Sequence, residues 1–295
     1  MTPLPALRAI STSPAAPYSP RLEPVAWIAG VILVVWLLAP GVDRLAPLFG
    51  GTAPESVDIG ALFQSVGGGA DFLFGQSAFE LIAFAALFTV LGWWRLIQVE
   101  PSRLRPIALA VIPALTAFVF LGGAGVGFLA NPDPSLALMA MQTVAMLAVA
   151  TVEEFGWRGV AVVGLRGSRF PEWSVWLLTT SGFALMHLLN IFSGAELGST
   201  LFQVLYTFFL GTACYLARRA GGIWLAIAVH FGNNLLQVGA QASVESDWFT
   251  LVNGLALAGQ ILMLLSVPAT IVLLVRESRR ARRAGRTTAD EPALR

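Results

Sequence analysis

Seven polar residues stand inside long apolar runs: Glu153, Glu154, Arg158, His187, His230, Asn233 and Asn234. An ionised side chain costs about 2.5–3.5 kcal/mol at the centre of a membrane helix, so two adjacent glutamates are a heavy penalty for packing alone. The chain has two histidines, and both fall in apolar segments rather than in loops. Titratable groups placed this way mark a buried polar site.

Their spacing assigns partners. Glu154 and Arg158 are one helical turn apart and can pair. Glu153 points about 100° away and is free to face another helix. The expected division of labour has Arg158 holding Glu154 ionised, while Glu153, in the drier place, serves as general base. A structural ion pair fixing helix packing would use the same residues. Phe183 lies one turn before His187 and can brace its ring, and His230 and Asn234 share one stripe and can donate hydrogen bonds together. Such a set suits hydrolysis: a carboxylate takes a proton from water, an imidazole holds that water or a metal, and donors stabilise an oxyanion. The chain contains no HExxH. Zinc could still be held by Glu153, His187 and His230 from different helices, leaving a fourth position for water. A metal-free dyad of Glu and His acting on water fits the same residues, and the sequence does not separate the two. Ser181 and Ser193 flank an apolar run without a GxSxG, and every Asp maps to a loop or tail. Serine and aspartyl nucleophiles are therefore poorly placed.

These residues need a frame, and composition sets its class. The chain has 295 residues, 56% hydrophobic and 12% charged, with formal net charge +1 and mean hydropathy +0.74. A soluble domain is about 25% charged, so soluble enzymes, nucleic-acid binders and disordered scaffolds are excluded. The single cysteine, Cys214, reads as a packed apolar thiol and offers neither a disulfide framework nor a Cys-based metal site. Membrane spans of roughly 20 apolar residues are predicted at 25–39, 78–97, 106–129, 136–165, 173–191, 200–217, 223–238 and 249–275. The fold class is all-α: a polytopic integral membrane helical bundle of about eight transmembrane helices.

Residues 1–24 read as a flexible Pro-rich tail, residues 41–77 as a Gly-rich loop with a short interfacial helix near 59–66, and residues 276–295 as a basic cytoplasmic tail. Residues 25–275 read as a single transmembrane domain, with the core motifs within 136–238. Seventeen of the eighteen basic residues, all of them Arg, fall on one side of the predicted spans, with Arg44 the exception. That places both termini in the cytoplasm. The absence of Lys suggests a prokaryotic source, and hence a multi-pass protein of the plasma membrane. His187 is about 14 residues, roughly 21 Å, from Trp173, whereas His230 is about 7 residues, roughly 10 Å, from Ile223. A common depth requires tilt or a different start for the fifth span.

In this order the motifs resemble those of the CPBP family, intramembrane proteases that include type II CAAX prenyl endopeptidases and bacteriocin-processing or self-immunity proteins. The family's EExxxR is matched by Glu153, Glu154 and Arg158, its FxxxH by Phe183 and His187, and its HxxxN by His230 and Asn234. The resemblance implies a polytopic α-helical endopeptidase in which Glu153 and His187 activate water while His230 and Asn234 serve the oxyanion or a metal. Arg158 and Phe183 would support them. The implied partners are a membrane-associated, in some members prenylated, protein or peptide substrate and the lipid bilayer, with no nucleic acid. Two other functions use the same residues: a non-catalytic membrane peptide-binding or bacteriocin self-immunity protein, and a proton-coupled transporter with Glu153 and His230 as its relay.

Overall fold

The computed structural model describes residues 64–73, 77–100, 107–132, 135–167 and 170–289. The expected tail 1–24 and the first expected span, 25–39, lie outside them. The helices are α1 Val66–Phe72, α2 Ala78–Leu91, α3 Trp94–Gln98, α4 Val111–Leu129, α5 Leu136–Glu154, α6 Val162–Gly167, α7 Glu172–Met186, α8 Leu197–Gly221, α9 Ile223–Ala242 and α10 Phe249–Ala289. A π-helical segment, Phe155–Ala161, joins α5 to α6, and a 3-10 segment, His187–Ser193, continues α7. Among the described residues there is no strand.

Among the described residues, six runs are long and apolar enough to cross a membrane: Ala108–Leu129, Leu136–Gly167, Glu172–Ile191, Leu197–Gly221, Ile223–Ala242 and Phe249–Arg280. They coincide with the third to eighth expected spans. The expected span at 78–97 is broken instead, because Gly92 adopts φ +66° and ends α2. A left-handed glycine is a usual helix stop. The triplet Gly67-Gly68-Gly69, expected in a loop, lies inside α1, where the Ser65 hydroxyl accepts from the Gly68 N–H and caps the helix. Helix α10 runs on through the basic residues to Ala289. Outward faces carry exposed Phe118, Phe202, Val90 and Leu257, a surface suited to lipid rather than water.

Close approach fixes α9, which carries two of the motif residues, against α4. A Cβ on Gly127 would lie 2.4 Å from the Gly239 carbonyl oxygen, and one on Gly239 would lie 2.8 Å from the Ala124 carbonyl oxygen. Small residues let membrane helices meet at backbone distance. Gly127→Leu is therefore expected to destabilise the bundle by about 1–3 kcal/mol or more. Thermal unfolding in detergent should show a lowered Tm, whereas Gly125→Leu, where a Cβ meets nothing within 4 Å, should leave Tm nearly unchanged.

Ion pairs close one end of the bundle. Arg166 donates to Glu100 at 3.0 Å and also pairs with Glu172. Arg218 and Arg219 approach Glu100 at 3.5 and 3.6 Å, and Arg219 reaches Glu277 at 2.5 Å. Arg218 also donates to the carbonyls of Ile97 and Leu96. The sequence reading put Arg218 and Arg219 in a loop; α8 instead carries them to Gly221, and both are buried. Gly222 then makes the turn into α9 at φ +82°, where a Cβ would strike the Gln98 carbonyl at 2.6 Å.

Glu196 caps α8 from outside the membrane-spanning segments, its carboxylate accepting from the N–H groups of Gly198 and Ser199 at 2.8 and 2.7 Å. Those bonds favour the charged form and hold its pKa below the usual carboxylate value. A depressed folded-state pKa contributes stability above the unfolded pKa and loses it as pH falls through the folded one. The Tm difference between wild type and Glu196→Gln is expected at neutral pH and should vanish in acid; a difference that grows in acid would contradict this cap.

Candidate active site

The last turn of α5, the π segment, the end of α7, the middle of α8 and the middle of α9 bring the motif side chains together. Arg158 Nη1 donates to Glu154 Oε1 at 2.9 Å, with both side chains fully buried. Arg158 Nη2 donates to the Gly211 carbonyl at 2.9 Å, and its guanidinium carbon lies 4.5 Å from the centre of the Phe183 ring. A Cβ on Gly211 would stand 3.0 Å from Arg158 Nη2, so glycine there leaves α8 room to approach the arginine. π-helical turns occur often at functional sites, and this one starts directly after the two glutamates.

His230 faces both carboxylates. Its Nδ1 is 2.9 Å from Glu154 Oε1 and its Nε2 is 3.6 Å from Glu153 Oε2. Glu154 Oε1 also accepts from Arg158 Nη1, and a carboxylate only accepts, so His230 Nδ1 donates in that bond. The burial of the two glutamates reverses the expectation: Glu154 is 0% exposed and Glu153 is 21% exposed. The drier carboxylate is the one tied to Arg158. Glu153 points away from that pair, as its spacing requires, and meets α9 at the rim of the buried cluster.

Phe183 is the hub between the histidines. Its ring stands edge-on to His187 with centroids 5.3 Å apart and to His230 at 5.5 Å. Phe183 thus packs against both imidazoles. His187 sits where α7 passes into the 3-10 segment, and its Nδ1 is 3.0 Å from the Phe183 carbonyl oxygen. A carbonyl can only accept, so Nδ1–H donates and the Nε2 lone pair is free.

Asn234 is joined to groups that the motif spacing alone does not reveal. The Tyr206 hydroxyl donates to Asn233 Oδ1 at 2.5 Å, and Asn233 Nδ2 donates to Asn234 Oδ1 at 3.2 Å. Beyond His187, Asn190 Nδ2 donates to Gln203 Oε1 at 2.8 Å. Tyr206, Asn190 and Gln203 were not singled out from the sequence. The signal available was polarity within apolar spans, the same signal that marked Asn233.

The candidate metal ligands divide into two sets. Glu154, Cys214 and His230 have ligand atoms within 4.8 Å of one another. That trio suits a dication poorly, because Glu154 Oε1 already accepts from the Arg158 guanidinium, a resident cation. The set read from sequence, Glu153, His187 and His230, is not brought together as a ligand group: Glu153 Oε2 and His230 Nε2 lie 3.6 Å apart, but His187 does not join them within 4.8 Å. Both histidines have the other ring nitrogen held by an acceptor, as metal-binding imidazoles do. As placed, the three do not form a zinc site, whereas Glu153 and His230 alone can share a water.

Residues 133–236, about a third of the chain, match the family model described as type II CAAX prenyl endopeptidase Rce1-like. No curated protein and no solved structure gives a match. The matched region holds Glu153, Glu154, Arg158, Phe183, His187, His230 and Asn234, and the helices that bear them are apolar enough to span a bilayer. The chain is thus an integral membrane protein whose residues 133–236 are similar to the Rce1-like type II CAAX prenyl endopeptidases, a family of intramembrane proteases.

Proposed function

We propose that this chain hydrolyses a peptide bond of a membrane-associated protein or peptide, a prenylated C-terminal tail being the substrate class the family suggests, with Glu153 as the base that activates water. The observation that carries the reading is the 3.6 Å approach of Glu153 Oε2 and His230 Nε2, with the other His230 nitrogen committed to Glu154. Two acceptors so placed need a bridging proton, a water or an ion. Of these bridges, a proton on His230 Nε2 makes that nitrogen a donor beside Glu153.

In that state the roles separate. Water donates to the Glu153 carboxylate and to the free Nε2 of His187, and Glu153 takes its proton as the water oxygen attacks the scissile carbonyl. The oxyanion accepts from His230 Nε2–H and from the Asn234 amide. Collapse breaks the C–N bond, and Glu153 returns the proton to the leaving amine. The Arg distribution supports cytoplasmic termini, and the Lys-free composition supports a prokaryotic plasma membrane.

Purified protein in proteoliposomes, given a farnesylated CAAX peptide in heavy-oxygen water, is expected to release a product with one heavy oxygen in its new carboxyl group. Binding of the peptide without cleavage would favour the non-catalytic peptide-binding function instead.

A further inference from the structure

The Asn234 amide can present either its oxygen or its NH2 group to the site, and only the NH2 group can stabilise an oxyanion. Tyr206 on α8 and Asn233 on α9 decide between them. The Tyr206 hydroxyl gives its single proton to Asn233 Oδ1 at 2.5 Å, so the other end of that amide, Nδ2, donates to Asn234 Oδ1 at 3.2 Å. With its oxygen engaged, Asn234 keeps its NH2 group for the stripe it shares with His230, one turn earlier on the same helix. Asn233 is buried at 2% exposure, which removes water as a competing partner. Gln260 on α10 comes within hydrogen-bonding reach of the same tyrosine hydroxyl. Reversing the chain would point the Asn234 oxygen at a developing negative charge.

The geometry points to a donor relay, Tyr206 to Asn233 to Asn234, that sets the orientation of the oxyanion-binding amide; Tyr206 and Asn233 are positioning residues. The effect on rate rests on the peptidase reading above, whereas the orientation itself does not. A tyrosine that only staples α8 to α9 would use the same first bond, so the test needs a readout that such a staple would not move.

Tyr206→Phe keeps the ring and removes the donor. With the farnesylated CAAX peptide, kcat is expected to fall roughly tenfold with KM unchanged, and Tm to fall modestly because Asn233 Oδ1 loses its donor. In an Asn234→Ala background the same substitution should cost nothing further, because residues acting as one unit are not additive. An unchanged kcat, or an equal loss in both backgrounds, overturns the relay. Side-chain amide signals of isotope-labelled asparagine in micelles provide an independent reading. Tyr206→Phe should shift the signals of both Asn233 and Asn234; a shift confined to Asn233 overturns the relay. Absence of cleavage by the wild-type protein would count against the peptidase reading alone, and the amide signals would still decide the orientation.

Discussion

Glu153→Gln is expected to lower turnover by about 10²–10⁴-fold, the range supplied by a general base, while leaving the fold intact. The substitution keeps the shape and the hydrogen-bonding capacity of the side chain but removes the proton acceptor. Glu153 is partly exposed and has no ion pair with an arginine among the described contacts, so the bundle does not depend on its charge. Turnover measured at equal protein abundance, with Tm alongside, checks this. Near-wild-type turnover would move the base elsewhere. A collapse of Tm would show that the carboxylate is a structural element.

The contrasting prediction concerns its neighbour. Arg158→Met should destabilise the protein by about 3–5 kcal/mol, because it leaves the fully buried Glu154 carboxylate without its cation. It also removes the donor to Gly211 and the contact over Phe183 that braces both histidines. Adding Glu154→Gln removes the stranded charge, so the double variant should regain part of the lost stability. Activity should stay low in the double variant, because His230 Nδ1 then lacks the carboxylate that fixes its proton. Thermal unfolding of the two single variants and the double variant makes the cycle measurable. Additive losses would mean that the pair is not coupled as the 2.9 Å bond requires.

Much of the site could be read from helical spacing. Four-residue steps paired Glu154 with Arg158, stacked Phe183 on His187 and aligned His230 with Asn234, because those relations lie within one helix. What spacing could not rank was burial across helices: which of two adjacent glutamates is dry depends on where α8 and α9 pack, and the dry one proved to be Glu154. The Tyr206 relay was hidden for the same reason, since its bond joins positions 27 residues apart on separate helices. Arg218 and Arg219 end a helix rather than fill a loop, and their partners Glu100, Glu172 and Glu277 come from three other segments, which spacing within one helix does not show. The extents of the third to eighth apolar runs were legible from hydropathy. The breaks were less so: Gly92 stops a helix that composition alone would continue, and three successive glycines are carried into α1 by the Ser65 cap.

The most direct test of hydrolysis by Glu153-activated water compares the N- and C-termini of membrane proteins, by mass spectrometry, between cells making the wild type and cells making folded Glu153→Ala at equal abundance. The account predicts new ends that appear only with the wild type and that identify the substrates. Identical ends in the two strains across growth conditions would contradict it and put the non-catalytic peptide-binding function in its place.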